Sequence, residues 1–133
     1  MSSANVELGR RFLNAWNERD GATLADSTHA DAEILLPRNL LEGGSYRGPE
    51  GVVRALADAT ETWEEVYVEV QEMRQAAGGE LVALTRTVNT ARSGGPRTAY
   101  EAAYVMTARD GKVASLRPYL SHREGLEAVG LEP

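Results

Sequence analysis

The chain contains no cysteine, which removes disulfides, thiolate nucleophiles and cysteine-ligated metals together and leaves it indifferent to redox compartment. It has two histidines, His29 and His122, far apart in sequence and in no His-x-His or His-Glu-x-x-His arrangement, so no catalytic metal is expected. Long apolar runs are missing too. No stretch approaches the ~18 apolar residues of a membrane span, and the segment from Met1 to Glu7 has no signal-peptide core, so a soluble, cytoplasmic protein is expected. Positive charge is in deficit: 14 Lys and Arg stand against 20 Asp and Glu, a formal charge of −6. That balance repels a phosphate backbone, and the basic residues form no stripe, so neither nucleic acid nor membrane is an expected partner. Gly-x-Ser-x-Gly, the phosphate loop and the dinucleotide fingerprint are all absent. Gly43-Gly44 and Gly94-Gly95 read as turns, and no cofactor is expected.

What is present is an ordered succession of helices and then strands, in a chain of 133 residues that fits one domain, 1–133, able to bury roughly 65–70% of its unfolded surface. Over 5–18 the apolar residues Val6, Leu8, Phe12, Leu13, Ala15 and Trp16 recur at helical spacing. Asp20 and Gly21 break this helix, and 21–28 reads as a short second one. Residues 33–36 form a short strand that Pro37 ends. The segment 38–48, with three glycines and no clean period, reads as a loop suited to a lid at a cavity mouth. Pro49 and Glu50 open a third helix running to Trp63. Period-two alternation then marks strands at 66–73, 81–88, 98–107 and 113–121, with turns at Gly78-Gly79, at 92–96 and at Asp110-Gly111. The tail 123–131 reads as one or two helical turns. Helices followed by antiparallel strands predict an α+β fold, with three N-terminal helices on one face of a curved, mostly antiparallel sheet.

In the segments Trp16-Asn17-Glu18-Arg19-Asp20, His29-Ala30-Asp31-Ala32-Glu33, Tyr46-Arg47-Gly48-Pro49-Glu50-Gly51, Arg109-Asp110-Gly111-Lys112-Val113 and Tyr119 to Leu126, the chain resembles the SnoaL-like and ketosteroid-isomerase-like proteins of the nuclear-transport-factor-2-like superfamily. The resemblance implies a cone-shaped fold with a hollow centre that takes small molecules. That fold hosts isomerases, cyclases, dehydratases, epoxide hydrolases and binding domains. The isomerases' tyrosine, base and protonated acid fall on Phe12, Leu36 and about Ala103, so their machinery is absent. The epoxide hydrolases' arginine and acid two residues apart fail as well, since Arg86 is followed by Thr87 and Val88.

If the sheet register follows the family, Val66, Val68, Leu84, Arg86, Glu101, Ala103, Leu116, Pro118 and Leu120 face the pocket. Arg86 and Glu101 are the charged pair among them, placed nearly opposite by the 92–96 turn. Two readings stand side by side: an ion pair that neutralises both, or a catalytic pair, with Glu101 as acid/base and Arg86 as oxyanion partner. Phe12, Trp16, Tyr46 and Trp63, together with Val68, Leu84, Ala103, Leu116 and Pro118, are the expected ligand contacts. The expected function is binding of a small hydrophobic metabolite in an apolar pocket, with cofactor-free isomerisation, cyclisation or dehydration by proton transfer, or alternatively a non-catalytic carrier or dimerisation module. Tyr67, Tyr100, Tyr104, Met106, Arg117 and Tyr119, assigned to the opposite face, point to a homodimer through the convex side.

Overall fold

A computed structural model describes residues 3–133. Helix α1 (Ala4–Asn17) opens on Ser3, whose hydroxyl accepts the Val6 N–H. Helix α2 (Gly21–Asp26) opens in the same way on Asp20, which accepts the Thr23 N–H and hydroxyl. These bonds hold the Asp20 carboxyl below its ordinary range. Strand β1 (Thr28–Ile34) leads through a one-turn helix α3 (Asn39–Glu42) and a two-residue strand β2 (Tyr46–Arg47) into α4 (Gly48–Thr62). Four longer strands follow: β3 (Trp63–Gln75), β4 (Leu81–Ala91), β5 (Arg97–Arg109) and β6 (Lys112–Tyr119), and α5 (His122–Ala128) closes the order. No helix among the described residues is long and apolar enough to cross a membrane.

The six strands form one open sheet in the order β2-β1-β6-β5-β4-β3, antiparallel except where β1 runs parallel to β6. Two expectations are refined. The first strand begins at Thr28 rather than at residue 33, because pairing with β6 recruits residues that carry no period-two signal. The 38–48 segment contains the helical turn α3, closed by Asn39, whose side chain accepts the Leu36 N–H and donates to the Gly43 carbonyl.

Bulges set which side chains face which way. Along β3 the register against β4 shifts between Val70 and Glu72, so Val66, Val68 and Val70 share a face with Met73. On β6 the register against β5 shifts at Ala114, so Val113 and Leu116 share that inner face. The main core lies between this face and helices α1, α2 and α4, and gathers Phe12, Leu13, Trp16, Leu24, Ile34, Val52, Leu81, Tyr104 and Met106.

On β4 and β5 the faces are the reverse of those expected from the family register. Leu81, Ala83, Ala102, Tyr104 and Met106 point inward to the main core, whereas Val82, Leu84 and Ala103 form a second cluster with Leu126 of α5 on the outer face. Period two could not choose between the phases, because Leu81 to Thr85 are all buried, one face under α1 and the other under α5. The charges decide it: Arg86 and Glu101 remain exposed on the outer side, where burial costs them nothing. The tyrosine-rich outer face is therefore corrected. Tyr100, Tyr104 and Met106 lie inside, Tyr67 and Arg117 remain exposed outside, and α5 packs across the sheet between them.

Candidate functional site: an apolar cavity with a polar patch

Between the inner sheet face and the helices lies a cavity of about 680 Å³, within the range typical of small-molecule sites. Its walls follow from the elements around it. Helix α1 contributes Phe12, Leu13 and Trp16 from its apolar stripe, and α4 contributes Val52 and Ala59. Trp63 enters because α4 passes into β3 without a loop: Trp63 is both the helix cap and the first strand residue, with extended backbone (φ −119°, ψ 140°). Val66 and Val68 continue that wall. Val68 is held by Asn17 at the end of α1, whose side-chain amide donates to the Val68 carbonyl and accepts the Val68 N–H, both at 2.8 Å. This pairing also occupies the free edge of β3, which would otherwise offer unpaired backbone to another chain.

The mouth is marked by lining residues that reach solvent: Leu41 of α3, 91% exposed, and Leu120, 55% exposed. Arg38 and Glu42 lie beside them. Arg38 is fixed from behind, donating to the Tyr46 hydroxyl and, at 3.1 Å, to Asp58 of α4, while the Tyr46 hydroxyl donates to the same carboxylate at 2.8 Å. Burial, reinforced by the Asp58 bond and opposed by Arg38, raises the Tyr46 phenol above its ordinary range. Tyr46 thus positions Arg38 at the mouth and is not itself part of the cavity wall.

The inner wall carries a cluster of polar side chains. Thr87 and Asn89, two apart on β4, face inward with Tyr100 and Tyr104, four apart on β5. Thr87 Oγ1 and the Tyr104 hydroxyl are 3.0 Å apart. Oδ1 of Asn89 is buried without a hydrogen-bond partner. Complete burial holds the Tyr104 phenol far above its ordinary range, and burial raises Tyr100 as well, against the pull of neighbouring Asn89 and Thr87. Both tyrosines are therefore protonated hydrogen-bonding groups near neutral pH. Among the described residues, no carboxylate or imidazole lines the cavity beyond Glu42 at the mouth, and no three His, Asp or Glu side chains converge as a metal would require.

A stability prediction follows for Tyr104. A folded-state pKa raised above the ordinary 10.0 means that the folded protein keeps a proton which the unfolded chain gives up. Stability is thus full below about pH 10 and falls as pH rises beyond it. Melting temperatures measured from about pH 8 to about pH 11 will show this decline, and Tyr104→Phe will make it shallower, leaving the part that Tyr100 and Tyr46 carry. At neutral pH the same variant loses about 1 kcal/mol, because the buried hydrogen bond between the Thr87 and Tyr104 hydroxyls is gone. An unchanged alkaline slope in the variant would refute the assignment.

Of the residues expected from sequence, Phe12, Trp16, Trp63, Val68 and Leu116 meet at the cavity. Pro118 is buried on the same sheet face, opposite Tyr104, but outside the lining. Leu84 and Ala103 belong to the outer cluster under α5. Arg86 and Glu101 are direct partners in the β4–β5 register, as expected, yet neither faces the cavity and no ion pair joins them. Glu101 instead accepts the His122 N–H at 2.7 Å at the start of α5, with His122 Nδ1 3.9 Å from its carboxylate, while His122 Nε2 lies 2.9 Å from the Thr85 carbonyl. Their placement in the pocket is corrected, because a strand phase that sends Thr87, Asn89 and both tyrosines inward sends this pair outward. Sequence reasoning missed Thr87, Asn89, Arg38 and Glu42 as cavity residues and put Tyr100 and Tyr104 on the wrong face. The available signal was polar spacing: Thr87-x-Asn89 and Tyr100-x-x-x-Tyr104 each keep to one side of a strand.

A mixed, mostly antiparallel sheet wrapped on helices around an apolar hollow defines an α+β fold class with a hollow interior. The SnoaL-like domain profile matches residues 9–116, and the chain belongs to that family. Among solved structures it is similar to a ketosteroid-isomerase-like hypothetical protein from Catenulispora acidiphila DSM 44928 in complex with trimethylamine, at 18% identity and a TM-score of 0.75, covering 94% of this chain and 93% of that one. It is also similar to TerC co-crystallized with polyporic acid, at 19% identity, TM-score 0.77 and coverage of 96% and 98%. An NTF2-like protein of unknown function from Burkholderia pseudomallei K96243 has 17% identity, TM-score 0.78 and coverage of 97% and 99%. At these identities the likeness is one of fold. No curated protein matches the chain.

Proposed function

We propose that this SnoaL-like domain binds one small, largely apolar molecule in the cavity between α1, α4 and the inner sheet face. The observation that carries this reading is the cavity itself: about 680 Å³, walled by Phe12, Trp16, Trp63, Val66 and Val68 and already open in the folded chain. Burying apolar ligand surface there contributes roughly 25 cal/mol per Å² before the cost of immobilisation. The proton-transfer chemistry expected of Glu101 and Arg86 has no access to this space. The groups that do line its inner end are protonated hydroxyls and an amide, which orient a ligand without removing a proton from it near neutral pH. Binding, rather than isomerisation or cyclisation by that pair, is the function the geometry supports.

Both tryptophans of the chain line the cavity, so the protein carries its own reporter. N-phenylnaphthylamine, a neutral apolar fluorophore, will accept excitation energy from Trp16 and Trp63 in a saturable titration with one site per chain. Emission that rises linearly with probe concentration, with no plateau and no increase in melting temperature, would sink the proposal.

A further inference from the structure

The inner polar patch restricts what the cavity holds. Asn89 is 9% exposed, lines the cavity and leaves Oδ1 without a donor. A buried acceptor left unmet is costly, and a partner arriving from the cavity removes that cost. Beside it, Thr87 and Tyr104 are 2% and 5% exposed and bond to one another. Each hydroxyl has a single hydrogen, so whichever donates, the other keeps an O–H to direct elsewhere. Tyr100, close to both Thr87 and Asn89, extends the chain of hydroxyls without changing the count, because it brings one more hydrogen along with its acceptor oxygen. The patch therefore offers an acceptor at Asn89 and one surplus O–H, on neighbouring positions of one sheet face.

Resting on the reading of the cavity as a binding site, we infer that its ligand is a neutral alcohol or phenol whose hydroxyl lies in this patch. That hydroxyl donates to Asn89 Oδ1 and accepts the surplus O–H from the Thr87, Tyr100 and Tyr104 chain. A ketone or ether of the same frame only accepts and leaves Asn89 unmet. A carboxylate cannot donate, and an ammonium cannot accept; each also carries a charge into a wall whose charged lining residues among those described, Arg38 and Glu42, sit at the mouth. A site built around a hydroxyl discriminates against the analogue lacking the donor because its own buried groups are then unpaired.

The test is competition against bound N-phenylnaphthylamine by three compounds of one frame: cyclohexyl-cyclohexanol, the corresponding ketone, and the methyl ether of the alcohol. The alcohol is expected to bind about tenfold more tightly than the ketone or the ether, or better. In Asn89→Leu, which keeps a side chain of similar length without the acceptor, the alcohol and ketone should converge to within about twofold. The ether comparison needs only the wild-type protein, so a variant that fails to fold does not remove the test. Equal or tighter binding of the ketone or ether, or no displacement by any of the three, overturns the hydroxyl assignment while capture of the fluorophore leaves the cavity reading standing. Failure of the fluorophore itself to bind removes both.

Discussion

Replacing Ala59 by phenylalanine will reduce the affinity for N-phenylnaphthylamine by on the order of 100-fold or more, while the protein stays folded. Ala59 is 8% exposed and presents its methyl group to the cavity from α4. A phenyl ring there extends across the space towards Phe12, Trp16 and Trp63, and a ligand must then compete with side-chain packing that the chain supplies to itself. Overpacking ordinarily destabilises a filled core. Here the ring enters volume that is already empty, so the melting temperature should hold or rise. The paired measurement is decisive: a loss of binding with retained melting temperature locates the ligand in the cavity, and unchanged affinity locates it elsewhere on the protein. Val66→Trp, from the facing strand, should reproduce the loss from the other side.

The second large effect lies at Gly48, where β2 passes into α4. Its φ is +68°, a conformation that L side chains rarely adopt, and an added Cβ would lie 2.8 Å from the Ala30 carbonyl oxygen on β1. Strain and clash act together, because the oxygen is backbone and cannot swing aside. Gly48→Ala should therefore cost about 2–4 kcal/mol, a fall of roughly 10 °C in melting temperature for a domain of this size. Thermal denaturation followed by circular dichroism measures it. A fall within a degree or two would show that the backbone adjusts. The variant also loosens the mouth, since Gly48 adjoins the strand that carries Tyr46, and Tyr46 fixes Arg38.

Much of the fold was legible because helical and strand periods are local. The stripe from Val6 to Trp16, the Pro49 opening of α4 and the alternation through Val66 and Val68 each place their own residues without reference to the rest of the chain. For that reason the α1 and β3 walls of the cavity, and Trp63 at the junction, were found from sequence. The far wall was not. Leu81, Val82, Ala83 and Leu84 are all apolar, so β4 supports either phase with equal ease, and β5, paired to it residue by residue, inherits the choice. Arg86 and Glu101 drew attention as charges thought to be buried, when the structure simply turns them to solvent.

The sequence by itself determined the order of helices and strands, the turns between them, the absence of thiol chemistry and the aromatic stripe that lines one side of the cavity. These rest on composition and on interactions within a few residues. Only the tertiary structure decided which face of β4 and β5 looks inward, and with it the whole chemical character of the pocket. The physical reason is that α5, arriving last in the chain, covers the outer face of the sheet and lets Val82, Leu84 and Ala103 be buried there. Thr87, Asn89, Tyr100 and Tyr104 are thereby directed into the cavity, an outcome no local period could have specified.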